Sequence, residues 1–252
     1  MLDELSQYYE TNGISALKFS CPHYEECSRG CESFTKSKEA FVSTGYENQD
    51  LPRLLFISLD SGDADPKAKN RTLQKIREQE EFYFEISSLK DKQYAHWYRT
   101  HELAQWFLNK YKWGLRIDQV QHYFAHTNSA KCCMNREHRA KADKRLFDNC
   151  REFIPGEVVI LNPDIIVTQG DEAEQSINGY FTELDLSKFG VTHQNLPEVR
   201  VVSINDAPVL WIHTYHPSNW GKFNHQRGEK FKIYTRIALD FITQTKRWVS
   251  KR

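Results

Sequence analysis

The chain has 252 residues, and its 34 basic and 34 acidic side chains leave no formal net charge. That length buries a full core without help from a metal, and the zero balance leaves any nucleic-acid contact to local patches. No apolar run approaches roughly 18 residues and Met1-Leu2-Asp3-Glu4-Leu5 is no export signal, so a membrane span is excluded and a reducing cytoplasm is the expected setting.

In chain order, the short apolar run Leu54-Leu55-Phe56-Ile57-Ser58 after Pro52 predicts a buried strand. Residues 63–93 are densely charged around Phe82-Tyr83-Phe84 and read as an exposed insertion carrying a helix. Helices are predicted over 101–111 and 140–153. A second buried strand, Asp164-Ile165-Ile166-Val167-Thr168, runs into Gln169-Gly170, and a helix opens at Asp171-Glu172 with acidic residues in its first turn. Residues 176–198 read as a polar loop with a weak strand. Strands follow at Val199–Val202 and Val209–His213, and an amphipathic helix runs from Glu229 to about Trp248. This alternation predicts an α/β layered domain with a largely parallel sheet, whose sites gather at the carboxyl ends of the strands.

The six cysteines fall in two groups: Cys21, Cys27 and Cys31 near the start, and Cys132, Cys133 and Cys150 in the middle. Tight clusters far apart in a long chain are how a fold gathers four thiolates around one metal centre, and zinc and an iron–sulfur cluster both accept such a set. Cys27 and Cys31 stand at helical i, i+4 spacing and make a pair. The spacing of Cys21 and Cys27 is similar to the cluster motif of certain RNA methyltransferases. Those need a Gly-rich methyl-donor loop, which this sequence lacks.

Three segments carry candidate chemistry: Ser58-Leu59-Asp60-Ser61-Gly62, Asn128-Ser129-Ala130-Lys131-Cys132 and Thr214-Tyr215-His216-Pro217-Ser218. A carboxylate, a carboxamide and an imidazole at three strand ends can hold water, read a heterocycle edge and stabilise a developing anion.

Taken in order with Cys27/Cys31, Cys150 and Pro163–Gly170, these stations resemble the uracil-DNA glycosylase superfamily, most closely its iron–sulfur branches. The resemblance spans about residues 20–245 apart from 63–93. It implies a single three-layer αβα domain over 1–252, with a central, largely parallel sheet of four to five strands. It also implies a monomeric DNA glycosylase holding a [4Fe–4S] cluster (zinc being the alternative) on Cys27, Cys31, Cys132 and Cys150, with Cys21 and Cys133 as alternates. By the same resemblance Asn128 bonds the edge of a flipped pyrimidine, His216 stabilises charge on the leaving base, and Asp60 positions water. Ser218 and Gly62 grip phosphates, and Trp220 is the wedge that fills the emptied stack.

The turn departs from the family pattern, with Ser58 at its glycine, Leu59 at the iron–sulfur branch's glutamate and Ser61 at its proline. Gly62 stands where another branch has a tyrosine that excludes thymine. The substrate is therefore uracil or a 5-modified pyrimidine, in repair or in defence against modified foreign (phage) DNA. Leu59 also keeps open a non-catalytic DNA-binding module of the same fold. The basic stretch of Lys131, Arg136, His138, Arg139, Lys141, Lys144 and Arg145 reads as a solvated helix face or as a face for the DNA backbone. Trp97, Tyr98, His101 and Trp106 stand where the family places a stacking aromatic, and a helix core explains them equally; His126 reads as a surface or satisfied core residue.

Overall fold

A computed structural model describes residues 1–60, 67–85, 95–134, 142–190 and 196–245. Ten α-helices lie among them: α1 (Leu2–Thr11), α2 (Tyr24–Ser28), α3 (Thr44–Glu47), α4 (Leu73–Glu78), α5 (Ala95–Leu108), α6 (Lys144–Cys150), α7 (Ile154–Leu161), α8 (Asp171–Gln175), α9 (Trp220–Arg227) and α10 (Glu229–Thr245). Seven strands form one sheet: β1 (Phe41–Val42), β2 (Leu54–Ser58), β3 (Phe124–Asn128), β4 (Ile165–Gln169), β5 (Thr182–Leu184), β6 (Val199–Ile204) and β7 (Ala207–Thr214), in the order β1-β3-β2-β4-β7-β6-β5.

The centre, β3-β2-β4-β7, is parallel, as expected. β2 and β4 are buried along their whole length, which is why both read as unbroken apolar runs. The sheet is wider than the four to five strands expected, because β1, β5 and β6 add antiparallel neighbours at the two edges. β6 and β7 must run antiparallel, since only Asn205-Asp206 joins them. Both residues take positive φ (51° and 59°), the backbone of a two-residue hairpin turn.

Helices cover both faces. Phe56, Phe124, Val167 and Leu210 pack with Leu103 and Phe107 of α5 and Phe231 and Phe241 of α10. Leu55, Ile57, Ile166 and Trp211 pack with Leu5 and Tyr9 of α1 and Val158 of α7. A third, smaller core joins Cys27, Cys132, Cys150, Leu146 and Phe147.

Two predicted segments are corrected. The single helix expected over 140–153 is instead two, α6 and α7. Pro155 stands in the first turn of α7, where a missing N–H costs nothing but where an unbroken helix would have lost a hydrogen bond. The charged segment is not simply exposed. In its described part (67–85), Arg71, Leu73, Ile76 and Glu81 are buried. Its polar groups turn inward: Leu73 N–H donates to Glu39 (2.8 Å), Arg77 to the Val42 carbonyl (2.6 Å), and Glu81 accepts from Thr44 N–H (2.7 Å). It therefore covers edge strand β1, the protection that an open sheet edge needs. No described helix is long and apolar enough to cross a membrane.

Candidate active site

The carboxyl edge of the parallel strands carries a polar row. Ser58 pairs with Asn128 across β2 and β3, and Gln169 with Thr214 across β4 and β7. Residues in register on parallel strands project to the same face, so Asn128, Ser58, Gln169 and Thr214 share the α5 side. Asn128 is 6% exposed, and its carboxamide makes no hydrogen bond among the described residues.

Ser58 and Gln169 are bonded. Ser58 Oγ lies 2.6 Å from Gln169 Oε1 and 3.0 Å from His126 Nε2. A separation of 2.6 Å suits O–H···O better than N–H···O. The serine hydroxyl therefore donates to the glutamine oxygen and accepts from the histidine. Thr100 of α5 approaches the same oxygen (3.2 Å), and Gln169 Nε2 is left buried without a partner. His126, expected as a surface or satisfied core residue, is half-buried and satisfied by Ser58 beside this row. Trp97 also belongs there, edge-on to His126 (4.9 Å between centroids), with its Nε1–H donated to Glu80 (3.0 Å).

Beyond Ser58 the turn runs beside the loop after β3. Ser129 N–H donates to the Ser58 carbonyl (2.8 Å) and Ala130 N–H to that of Leu59 (3.4 Å). Leu59, at the station of the missing carboxylate, packs toward the cysteine core. A Cβ on Gly170 would meet both Leu59 Cδ2 and His216 Cβ at 3.2 Å. That glycine, at φ 97°, is what allows Leu59 and His216 to close on one point. Asp60 is half-buried, and the Cys133 thiol donates to its Oδ2 (3.7 Å).

His216 follows β7 and is held from its own loop. Ser218 N–H donates to its Nδ1 (3.2 Å), and Ser218 Oγ lies 2.5 Å from the same atom. Nδ1 is thereby an acceptor, and the ring proton sits on Nε2, which has no partner among the described residues. Burial, with a smaller contribution from His96, pushes the imidazole down to about 3, so it is neutral at physiological pH. The His96 ring stacks on it at 6.1 Å and 22°. Arg99 of α5 fixes the loop by donating to the Pro217 carbonyl (3.4 Å).

Asn128, Asp60, His216 and Ser218 thus lie along one edge of the sheet, with Ser218 bonded to His216. Gly62 lies outside the described residues, and of Trp220 only the backbone is described. Sequence reasoning missed His96, which no local pattern marks. It also missed Gln169, whose signal was a polar residue ending an apolar strand. Lys131 is corrected. It is 1% exposed and paired with Glu157 (3.0 Å), so it is no part of a basic face.

All six cysteines are free thiols. Among the described residues no three Cys, His, Asp or Glu side chains converge tightly enough to close on a single ion. Four thiols nevertheless feel one another. Burial pushes Cys132 well up, and Cys150, Cys21 and Cys27 add to it; burial pushes Cys150 up to about 12, with Cys27 and Cys21 adding again. Cys21 is raised by burial and by Cys27. Cys31 interacts with Cys27, and its thiol donates to the Cys27 carbonyl (3.9 Å). Two sulfurs also accept N–H donors: Cys150 from Lys131 N–H and Cys27 from Asn149 Nδ2, both at 3.4 Å. Cys133 faces away, toward Asp60, because it pairs with Thr35 in a short extended bridge where successive side chains alternate.

A search of the curated proteins finds no match. A model of the Uracil DNA glycosylase superfamily, whose members are in general DNA glycosylases, matches residues 45–239. The match begins after the N-terminal cysteines and takes in the polar row, the turn at Asp60 and the His216 loop. With most of the chain covered and the motifs in order on the sheet's carboxyl edge, the chain belongs to the uracil-DNA glycosylase superfamily.

Proposed function

We propose that the protein is a monofunctional glycosylase that flips a pyrimidine (uracil or a 5-modified pyrimidine) out of DNA, hydrolyses the base–sugar bond and leaves an abasic site. The carrying observation is that two unengaged groups of opposite use share one sheet edge: the unbonded Asn128 carboxamide and the free Nε2–H of a neutral His216. Asn128 reads the base edge, at a cost to any base whose donors and acceptors are reversed. His216 donates to the base as it departs with the bonding electrons. Asp60 orients the water whose oxygen bonds to the sugar carbon and takes the proton that water sheds. Ser218 serves by fixing the imidazole. The protein acts as a cytoplasmic monomer, in repair if the base is uracil and in defence against modified foreign DNA if it is 5-modified.

Mass spectrometry of bases released from uracil-containing and 5-modified duplexes tests this reading. Asp60→Asn is expected to lower release by ~10²-fold, and full activity in that variant moves the water-holding role elsewhere. Release of neither base favours a non-catalytic DNA-binding module, the reading for which Leu59 beside His216 speaks.

A [4Fe–4S] cluster on four thiols is the second part of the proposal. N–H donors on two of the sulfurs suit the negative charge that such a cluster carries. The thiols that raise one another are Cys21, Cys27, Cys132 and Cys150; Cys31 lies past α2, which ends at Ser28, so the helical pairing of Cys27 with Cys31 expected from their spacing is not formed. The cluster supplies bracing between the N-terminal segment and the loop that carries Asn128. Purified protein is expected to absorb near ~400 nm with about four irons. Cys150→Ser loses them and Cys133→Ser keeps them. Comparing iron content of Cys21→Ser with Cys31→Ser identifies the fourth ligand, and a colourless protein with one zinc overturns the cluster.

A further inference from the structure

The loop that carries His216 fixes one nitrogen of the imidazole and leaves the ring faces to other elements. From the end of β4, Gly170 gives the His216 Cβ room, with Leu59 of the turn after β2 beside it. Asp171, next in the chain, turns away to His213 (3.9 Å). From α5 comes a second ring. His96, in the first turn of that helix, lies nearly parallel to His216, with 6.1 Å between centroids and 22° between planes, an offset stack of the kind that π-systems prefer.

The first turn of α5 is placed there by the neighbours of His96. Arg99 donates to the Pro217 carbonyl (3.4 Å), and Trp97 donates to Glu80 (3.0 Å). Thr100 Oγ1 lies 3.1 Å from the His96 carbonyl and 3.2 Å from Gln169 Oε1. The turn is thus tied to the His216 loop, to β4 and to the segment that covers β1. His96 itself is exposed and stands outside the hydrophobic cores. The fold has little use for an exposed imidazole held over a half-buried one. His216 does have a use for it. Burial and His96 both disfavour protonation of the lower ring, and a protonated Nδ1 can no longer accept from Ser218 N–H.

We propose that His96 is a positioning residue for base release: its ring caps one face of the His216 imidazole, shuts water from it and so keeps the single proton on Nε2. The effect on rate rests on the glycosylase reading above, whereas the effect on the imidazole does not.

Imidazole NMR of the whole protein without DNA tests the cap, using His96→Ala and His96→Phe, neither of which reaches the core. In wild type His216, pushed down to about 3, is expected to stay neutral and protonated on Nε2 through about pH 5. In His96→Ala water meets the ring, and its titration is expected to rise by at least ~1 pH unit toward the ordinary value of about 6.5. His96→Phe keeps a ring in place and is expected to titrate as wild type does. Base release from uracil and 5-modified duplexes at about pH 6 is expected to be ~10-fold slower in His96→Ala, with DNA affinity little changed, and to recover in His96→Phe. An unchanged His216 titration in His96→Ala overturns the cap. An equal rise in both variants overturns it too, since the charge of His96 and not its ring would then be at work. The expected titrations without base release from any duplex uphold the cap and sink the glycosylase reading. Base release with neither rate nor titration altered in His96→Ala sinks the cap alone.

Discussion

His216→Ala is expected to slow base release by ~10²-fold or more while DNA affinity changes little. The imidazole is aimed by its own loop: Ser218 holds Nδ1, so the proton stands on Nε2. A donor fixed in advance is worth most where negative charge develops, and charge develops only as the base leaves. Binding therefore loses little when it is removed. The pH dependence follows from the same geometry. An imidazole near its ordinary value of about 6.5 would be half protonated at that pH, but His216 is pushed down to about 3 by burial and by His96. Its neutral form persists as the pH falls through 6.5, so no acid limb at that pH is expected in kcat. A limb near 6.5 that vanishes in His216→Ala contradicts the assignment. Equal losses of binding and rate mark the residue as a structural bend.

Glu157→Ala is expected to destabilise the fold by ~3–5 kcal/mol, a fall in Tm of roughly 6–20 °C for a domain of this size. Glu157 is wholly buried and accepts from Lys131 Nζ (3.0 Å), Thr127 Oγ1 (2.8 Å) and Tyr9 O–H (2.5 Å). Its removal leaves the Lys131 ammonium deep in the protein without a carboxylate among the described residues, bonded to Thr127 (2.9 Å) and over the Tyr9 ring (5.1 Å). The pair ties α1 and α7 to the loop between Asn128 and Cys132, so the loss reaches the site. Thermal or urea unfolding measures it. The double variant Glu157→Leu with Lys131→Met is expected to recover most of the stability, because it removes both charges at once. A loss below ~1 kcal/mol would be that of a surface pair and would deny the burial its weight.

The buried strands β2 and β4 were legible because both of their faces are covered, so apolar runs bounded by Pro52 and Pro163 had one reading. The stations at Asp60, Asn128 and His216 were legible for a related reason: a strand end followed by a turn is a local pattern, and the family's order of such turns lies along the chain. The antiparallel edges were less so. β1 is two residues long, and β6 declares its direction only through Asn205-Asp206. The charged segment after β2 misled because charge in a sequence does not say where it points. Arg77 and Glu81 turn inward to β1 and α3, and only the partners across space reveal it. Lys131 reads as one cation in a basic run until Glu157, on α7, is brought against it. Residue order alone put the carboxamide at the end of a strand, β3, and the imidazole just after another, β7. Tertiary structure alone decided which of them remain unbonded: Ser58, Thr100 and Gln169 come from three elements, and a hydrogen bond between distant residues leaves no mark on the sequence of either.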